Sequence, residues 1–191
     1  MQCNVHNKPS RHNILKITYH NNSFSEDNND VSWVQSHDGT TVSSALEVPC
    51  ANCSGMYIGR VLYDGNLIPG KVNLSHKCIY IPYGNLILIF LAFSKYVVIS
   101  DHKELKFDLY EVLTIKDPSD VKWIKSKNGK IDANAILGGY TDAGETLYIG
   151  RVVLHDGIII PGKVHPSNGL LYISYNGKEV GYKKYELLIR V

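Results

Sequence analysis

The stretch YIGRVLYDGNLIPGK at residues 57–71 decides the fold, because it returns as YIGRVVLHDGIIIPGK at residues 148–163. Self-similarity over so long a run marks a repeat architecture, in which each copy is one structural unit. β-branched and aromatic residues fill both copies, and an Asp-Gly pair interrupts each of them. The repeat is therefore the unit of fold, and we expect it to be the unit of function as well.

The similarity extends outward from this core in both directions. DVSW at 30–33 recurs as DVKW at 120–123, and YEVL at 110–113 recurs as YELL at 185–188. Each unit thus opens on an aspartate-valine-x-tryptophan motif and closes on a tyrosine-glutamate motif.

These motifs divide the chain into a leader and two units. The first unit covers residues 30–115, the second covers 120–191, and a short joint at 116–119 contains Pro118. Residues 1–29 have no counterpart elsewhere in the chain and are rich in Asn, His and Ser. That composition predicts a disordered or loosely attached leader.

Signals for strands and turns dominate both units, and no segment shows a sustained helical period. The Asp64-Gly65, Asp156-Gly157 and Asn176-Gly177 pairs have the composition of tight hairpin turns, which require positive φ angles. The fold class is therefore predicted to be all-β, with each unit a small antiparallel sheet built from hairpins. The predicted strands include residues 33–35, 56–58, 60–62, 79–81, 147–153, 171–175 and 185–189.

A Pro-Gly-Lys sequence recurs as Pro69 to Lys71 and as Pro161 to Lys163. Proline presets φ for a turn, and glycine takes a φ that a side chain would forbid. The sequence therefore predicts a turn at Gly70 and Gly162 that fixes where the following lysine points. A lysine held the same way in both copies is a candidate functional residue.

Composition excludes several classes of protein. The 191 residues, 44% of them hydrophobic, are enough for one or two small domains with a buried core. The net charge of +2 comes without a long basic run, so we expect no nucleic-acid partner. The leader lacks the apolar stretch of a secretory signal, which predicts a cytoplasmic location, with non-classical release as an alternative.

The four cysteines are too few and too unevenly placed for a disulfide scaffold. Cys50-Ala-Asn-Cys53 suggests zinc or thiol redox chemistry, but a structural zinc needs four ligands and no second pair follows. The interpretation we prefer is that of two small loop residues, with no metal site and no cofactor.

The first unit carries an insertion near residues 86–103, where the second unit passes through a short Asn-Gly turn. Its apolar run ends at Ser94-Lys95 and is far shorter than the roughly twenty residues of a membrane span. Three alternatives remain: a buried extra hairpin, an exposed association patch, and a segment that disrupts the unit. An exposed apolar strand would be a dimer edge or an aggregation hazard.

The repeated motifs, together with GGYTDAGETLYIGR at residues 138–151, resemble the DM-nine repeat family over essentially all of both units. The resemblance implies two tandem repeats packed with pseudo-two-fold symmetry. It further implies a calcium-independent, mannose-binding lectin that acts in pattern recognition and innate immunity. The expected partners are mannose-type glycans on microbial or cell surfaces and a second copy of the chain in a homodimer.

The resemblance also points to the sugar-binding residues. In the mannose-binding members, an aspartate in the loop before the YIGR-like strand and the lysine of the PGK sequence hold the sugar hydroxyls. Asp142 and Lys163 match these positions in the second unit. In the first unit Ala51 falls at the aspartate position, so Asn52 and Lys71 are expected to form a weaker site.

Aromatic side chains are candidates for stacking against a sugar ring. Tyr140, in the loop beside Asp142, and Tyr175, before the Asn-Gly turn, are the ones we single out, whereas Trp33 and Trp123 are interpreted as packing anchors.

Two other classes of function compete with the lectin. A hydrolase would need paired carboxylates, and Asp142 and Glu145 are the pair closest in sequence, with His155 and His165 flanking the second PGK. Neither histidine recurs in the first unit, so we expect no enzyme activity. The main alternative to the lectin is a non-catalytic protein-interaction or architectural module.

Overall fold

The computed structural model describes residues 30–49, 55–91 and 95–191, and within 85–91 and 95–102 it describes the backbone alone. Every strand pairing is antiparallel, and no α-helix occurs in these residues, so the all-β prediction is confirmed. A 3-10 turn, Pro118–Asp120, joins the two units. The strands are β1 Val31–His37, β2 Met56–Tyr63, β3 Asn66–Asn73, β4 Cys78–Leu91, β5 Lys95–Phe107, β6 Leu109–Ile115, β7 Val121–Lys127, β8 Leu137–Tyr140, β9 Thr146–Val153, β10 Ile159–His165, β11 Leu170–Tyr175, β12 Lys178–Tyr182 and β13 Lys184–Arg190.

Corresponding strands pair in the same way in each unit. The opening strand pairs with the closing strand, β1 with β6 and β7 with β13. The YIGR strand pairs with the PGK strand, β2 with β3 and β9 with β10. β3 of the first unit also pairs with β8 of the second at Leu67 and Tyr140, so one sheet runs through both units. The unit boundaries that we drew from the motifs remain predictions.

The residues that identify the repeat in the sequence are in mutual contact. The Arg60 guanidinium lies 4.1 Å from the centre of the Trp33 ring, and its Nε donates to Glu111 Oε2 at 2.6 Å. The stack holds the opening, central and closing strands of a unit together, which explains why these motifs recur. In the second unit Arg151 makes the same contacts to Trp123 and Glu186, at 4.2 and 2.7 Å.

Three clusters of buried side chains form the core. One lies within each unit, around Ile79 in the first and Leu171 in the second. The third is shared by both units and joins them. Its fully or nearly fully buried members are Val48, Ile58 and Leu113 from the first unit and Ile136, Ile149 and Leu188 from the second.

The hairpin turns follow their sequence signals. Asp64 and Gly65 have φ of 50° and 75°, and Asn176 and Gly177 have φ of 51° and 76°. Gly157 has φ of 81°. The predicted tight turns are therefore confirmed at Asp64-Gly65 and Asn176-Gly177, whereas in Asp156-Gly157 only the glycine has a positive φ, within a longer loop between Val153 and Ile159.

The predicted Pro-Gly-Lys turn is wrong. Gly70 and Gly162 lie inside β3 and β10, and neither has a positive φ. Glycine is needed for a different reason, because a Cβ would lie 2.2 Å from Tyr80 O at Gly70 and 2.1 Å from Tyr172 O at Gly162. The close approach of the next strand, and not a turn, therefore accounts for this glycine, and the lysine projects from a straight strand.

The insertion in the first unit is a long extension of the β4–β5 hairpin. The ladder continues without a break from Tyr83 opposite Lys103 to Leu91 opposite Lys95. In the second unit the equivalent hairpin closes at once, with Tyr175 opposite Lys178. Whether the extra side chains are buried lies outside the described residues. The remaining strands of the first unit keep the pairing seen in the second, which argues against a disruptive segment.

Shortening this hairpin tests whether the unit needs it. Replacing residues 84–102 by Asn-Gly gives the first unit the turn that the second already has, flanked by Tyr83 and Lys103, which face each other as Tyr175 and Lys178 do. Because a two-residue Asn-Gly turn fits the twist of an antiparallel pair, we expect cooperative thermal unfolding with a midpoint within a few degrees of wild type. Loss of the cooperative transition would instead mean that the extension is part of the core.

Candidate functional site

A cavity of about 440 Å³ lies between the two units, and most of the residues that line it are polar or charged. Asp142 and Lys163, the pair predicted from the sequence, both line it. The first unit contributes to its wall as well, so neither unit forms the cavity alone. The lining residues used below are Asp64, Asn66, Tyr83, Asp142, Glu145, Lys163, His165, Asn168, Tyr172 and Glu179.

Lys163 is buried at the floor of this cavity. It lies on β10, and its Nζ donates to Pro82 O of the first unit at 2.7 Å. The same Nζ is 3.1 Å from Glu179 Oε1 and 5.5 Å from the centre of the Tyr172 ring. A carbonyl, a carboxylate and an aromatic face thus fix the ammonium in one position.

Burial has a clear effect on this ammonium. Removal from water lowers the pKa of Lys163 from its ordinary value of 10.5, and the neighbouring Glu179 carboxylate opposes that shift only in part. The Glu179 side chain is 4% exposed, so both charges of the pair are held away from bulk water.

Asp142 sits at the mouth of the cavity, on the exposed loop between β8 and β9. Its Oδ1 accepts from the Ala143 backbone N–H at 2.9 Å, and its own N–H donates to Asn66 Oδ1 at 3.0 Å. Asn66 is the first residue of β3 in the first unit, directly after the Asp64-Gly65 turn. The first unit therefore positions the loop that carries the aspartate.

Glu145 forms a second polar cluster in the cavity wall. Its carboxylate accepts from the Ser167 backbone N–H at 2.8 Å and from the Ser167 hydroxyl at 2.7 Å, and it lies 3.0 Å from His165 Nε2. Burial opposes ionisation of Glu145, but the Ser167 hydrogen bonds and the nearby His165 outweigh it and lower the pKa of Glu145. The group is therefore held as a carboxylate.

Sequence reasoning missed Tyr172 and Glu179. Asn168 Nδ2 lies 3.0 Å from His165 Nδ1 and donates to the Tyr172 hydroxyl at 3.2 Å, which links the aromatic ring to the Glu145 cluster. Alignment of the two copies could have identified Tyr172, because Tyr80 occupies the same place in the first unit. Glu179 carried no such signal, since the insertion displaces its counterpart, Glu104, along the sequence.

The first unit repeats the lysine environment. Lys71 Nζ is 2.9 Å from Glu104 Oε1, donates to Ser174 O of the second unit at 2.6 Å, and lies 5.1 Å from the centre of the Tyr80 ring. Each lysine thus reaches a carbonyl of the opposite unit. This exchange of equivalent contacts agrees with the predicted pseudo-two-fold packing.

The other candidate residues lie elsewhere or outside the described residues. Tyr140 is 41% exposed at the end of β8 and does not line the cavity. Tyr175 packs against the core of the second unit. Asn52 lies outside the described residues, as do Cys50 and Cys53.

Within the part of the chain that the structure describes, no helix has the length and hydrophobicity of a membrane span. No group of three or more His, Cys, Asp or Glu side chains gathers there as a metal site. Cys78 is a buried free thiol on β4.

Comparison with known proteins identifies the repeat. A sequence model described as DM9 repeat matches residues 3–88 and again residues 92–188, which together make up most of the chain. Curated proteins provide no match. DM9 repeats are carbohydrate-binding and lectin-like rather than catalytic. The two matches agree with the tandem arrangement of equivalent strands, and the chain therefore belongs to the DM9 repeat family.

Proposed function

We propose that the cavity between the units binds a mannose-type sugar without calcium and without chemical turnover. The observation that supports this most is that Asp142 and Lys163 line one cavity together with Glu179, although they lie on different elements. In that role the protein recognises glycans on microbial or cell surfaces, as a pattern-recognition receptor of innate immunity does.

The hydrogen-bond donors and acceptors that line the cavity are suited to bind vicinal hydroxyl groups. Two of the three N–H groups of Lys163 point to Pro82 O and to Glu179, and the third can donate to a sugar oxygen. Asp142 presents a carboxylate that accepts from hydroxyl groups. Hydrogen bonds with one ionised partner are stronger than neutral ones, so the pair can fix one edge of a hexose.

The supporting contacts reduce the cost of ordering the site. The ammonium is fixed before any ligand arrives, and the Asp142 loop is tied to Asn66 of the first unit. Groups that are already held in their bound positions lose little conformational freedom on binding. A small neutral ligand can then be held by few contacts.

Binding without hydrolysis is favoured by the state of Glu145. Glycosidases need one carboxyl group with a raised pKa to protonate the leaving oxygen. The pKa of Glu145 is lowered instead, through Ser167 and His165. Glu145 is therefore unsuited to act as that acid.

We propose that multivalency raises the affinity of the intact protein. A single shallow sugar site binds at about millimolar Kd, and linked sites gain avidity without new contacts. The repeated lysine environment around Lys71 offers a second, weaker site, and a homodimer would double the number of sites. The extended β4–β5 hairpin, whose added residues are largely apolar, is the element we assign to dimer contact.

The proposal predicts that two different substitutions of Asp142 weaken mannose binding alike. Asp142→Asn keeps an oxygen that can accept from Ala143 N–H, whereas Asp142→Ala removes it. Because the sugar contact depends on the charge, we expect both to weaken mannose binding at least about tenfold, measured by amide chemical-shift titration. Asp156→Ala, at another exposed turn, is the control and should bind normally. Wild-type binding by Asp142→Asn would contradict a role for the charge.

The affinity for mannose should also fall as the pH rises, and it should do so below pH 10.5, the ordinary pKa of a lysine. The pKa of Lys163 is lowered below 10.5, so the ammonium that donates to the sugar is lost at a lower pH than usual. The folded state releases this proton before the unfolded state does, so Lys163 itself causes no loss of stability in that window. Affinity measured from neutral pH to pH 10.5 should therefore decline while the protein stays folded. Constant affinity up to that limit would rule out a donor role for Lys163.

A further inference from the structure

A second, larger depression lies on the second unit, away from the sugar cavity. It has a volume of about 910 Å³ and opens where β9 and β13 part, since these strands pair only at Arg151 with Glu186 and Gly150 with Leu187. None of its lining residues lines the sugar cavity. We call it the lysine groove, after its lining residues Lys125, Lys127, Lys130 and Lys184.

These lysines are exposed, and none forms an ion pair with another residue of the described chain. Two acidic side chains, Asp132 and Glu186, also line the groove, against the four lysines and Arg151. Glu186 binds Arg151 at 2.7 Å, and Asp132 accepts from the Asn134 N–H at 2.9 Å. The groove therefore presents an excess of positive charge.

The arrangement of the charges points toward a ligand. Lys127 and Lys184 stand directly opposite each other in the β7–β13 ladder. Like charges at such positions destabilise an antiparallel pair. Lysines on an edge strand can serve merely to block aggregation, but that purpose does not require two of them face to face beside a recess.

The first unit provides an internal comparison. Its equivalent depression, beside Arg60 and Glu111, has a volume of about 110 Å³. His37 stands opposite Leu109 there, where the second unit has the lysine pair. The strand pairing and turn contacts also match Lys125 with Gln35 and Lys130 with Thr40. The basic groove is thus a property of the second unit alone and not of the repeat.

We propose that the lysine groove binds an acidic polysaccharide, one that carries sulfate or carboxylate groups along its chain. A recess admits an extended chain, whereas a flat bilayer surface would not enter it. Proteins that bind nucleic acids read bases with arginine side chains and stack them on aromatic side chains. In the groove Arg151 is bound to Glu186 and Tyr185 is buried, so neither is placed for such contacts. Lysine ammonium groups are point charges that suit dispersed anionic groups. A glycan ligand also agrees with the carbohydrate-binding character of the family.

The test compares dextran sulfate with neutral dextran of the same length, measured by calorimetry on the full-length protein. The triple variant Lys125→Gln, Lys130→Thr and Lys184→Leu gives three of the four lysine positions the residue of the first unit and keeps Lys127. Its matched control, Lys106→Gln, Lys116→Gln and Lys122→Gln, removes the same charge from exposed positions outside the groove. Wild type should bind dextran sulfate, more weakly as salt rises, and should not bind dextran there. The groove variant should lose at least about tenfold in affinity and the control less than about threefold.

Each alternative outcome overturns the proposal. Equal losses in both triple variants would mean attraction to net charge without a site. Tighter binding of poly-glutamate than of dextran sulfate, with the same loss in the groove variant, would assign the groove to an acidic peptide. Asp142→Asn should leave dextran sulfate binding intact, so failure of the mannose site and failure of the groove are separable.

Discussion

Replacing Lys163 by methionine is expected to lower the free energy of unfolding by about 3–5 kcal/mol, as for other buried ion pairs that lose one partner. The methionine keeps most of the volume but removes the donor to Pro82 O and the counter-charge of Glu179. Both groups stay in a poorly solvated place, where the loss of a charged partner is costly. Urea denaturation with a comparison of midpoints and slopes gives the measurement.

Two variants make the Lys163 experiment specific. Lys178→Met removes an exposed lysine from β12, the strand that carries Glu179, and should change stability by less than about 0.5 kcal/mol. Lys163→Met combined with Glu179→Gln removes both charges and should recover part of the loss, because the cost comes from an isolated buried charge. Additive losses in the double variant would refute the coupling. Either Lys163 variant should also fail to bind mannose.

Replacing Gly162 by alanine is the second large effect that we expect. The added Cβ would lie 2.1 Å from Tyr172 O, a backbone atom of the adjacent strand, so β10 and β11 would have to separate. Overpacking in a core typically costs 1–3 kcal/mol, and a collision with backbone cannot relax by a change of rotamer, so we expect about 3 kcal/mol or more. The same change at Gly70 should act alike, since its Cβ would lie 2.2 Å from Tyr80 O.

Gly181→Ala is the matched control. This glycine is also in a strand without a positive φ, but the nearest atom to its Cβ would be Leu170 Cδ1 at 3.2 Å, the end of a flexible side chain. We expect a change below about 1 kcal/mol, because that side chain can move aside. If thermal unfolding showed similar losses at Gly162 and Gly181, close strand approach would not be the reason for the glycine of the PGK sequence.

Local sequence signals predicted the local structure well. The repeat, the strand runs and the Asp-Gly and Asn-Gly pairs gave an all-β chain with hairpins at Asp64-Gly65 and Asn176-Gly177. Such signals are reliable here because positive φ and period-two burial depend on a few adjacent residues. The PGK prediction failed for a related reason. Proline beside glycine has the composition of a turn, but strand packing required the glycine.

The candidate site was predictable only in part. Asp142 and Lys163 were identified from the resemblance, and both line the cavity. Glu179 was missed because its place beside Lys163 depends on the pairing of β11 with β12. The contact of Asn66 with the Asp142 loop could not be predicted from the sequence either, because the two residues belong to different units.

The sequence by itself determined that the chain has two equivalent units, that both are built from short antiparallel strands, and that tryptophan, arginine and glutamate recur in each. These are properties of local propensity and of similarity between copies. Only the tertiary structure decided that each lysine reaches a carbonyl of the opposite unit, at Pro82 and at Ser174. Those contacts join residues that are remote in sequence, so they exist only once the shared core has packed the two units against each other.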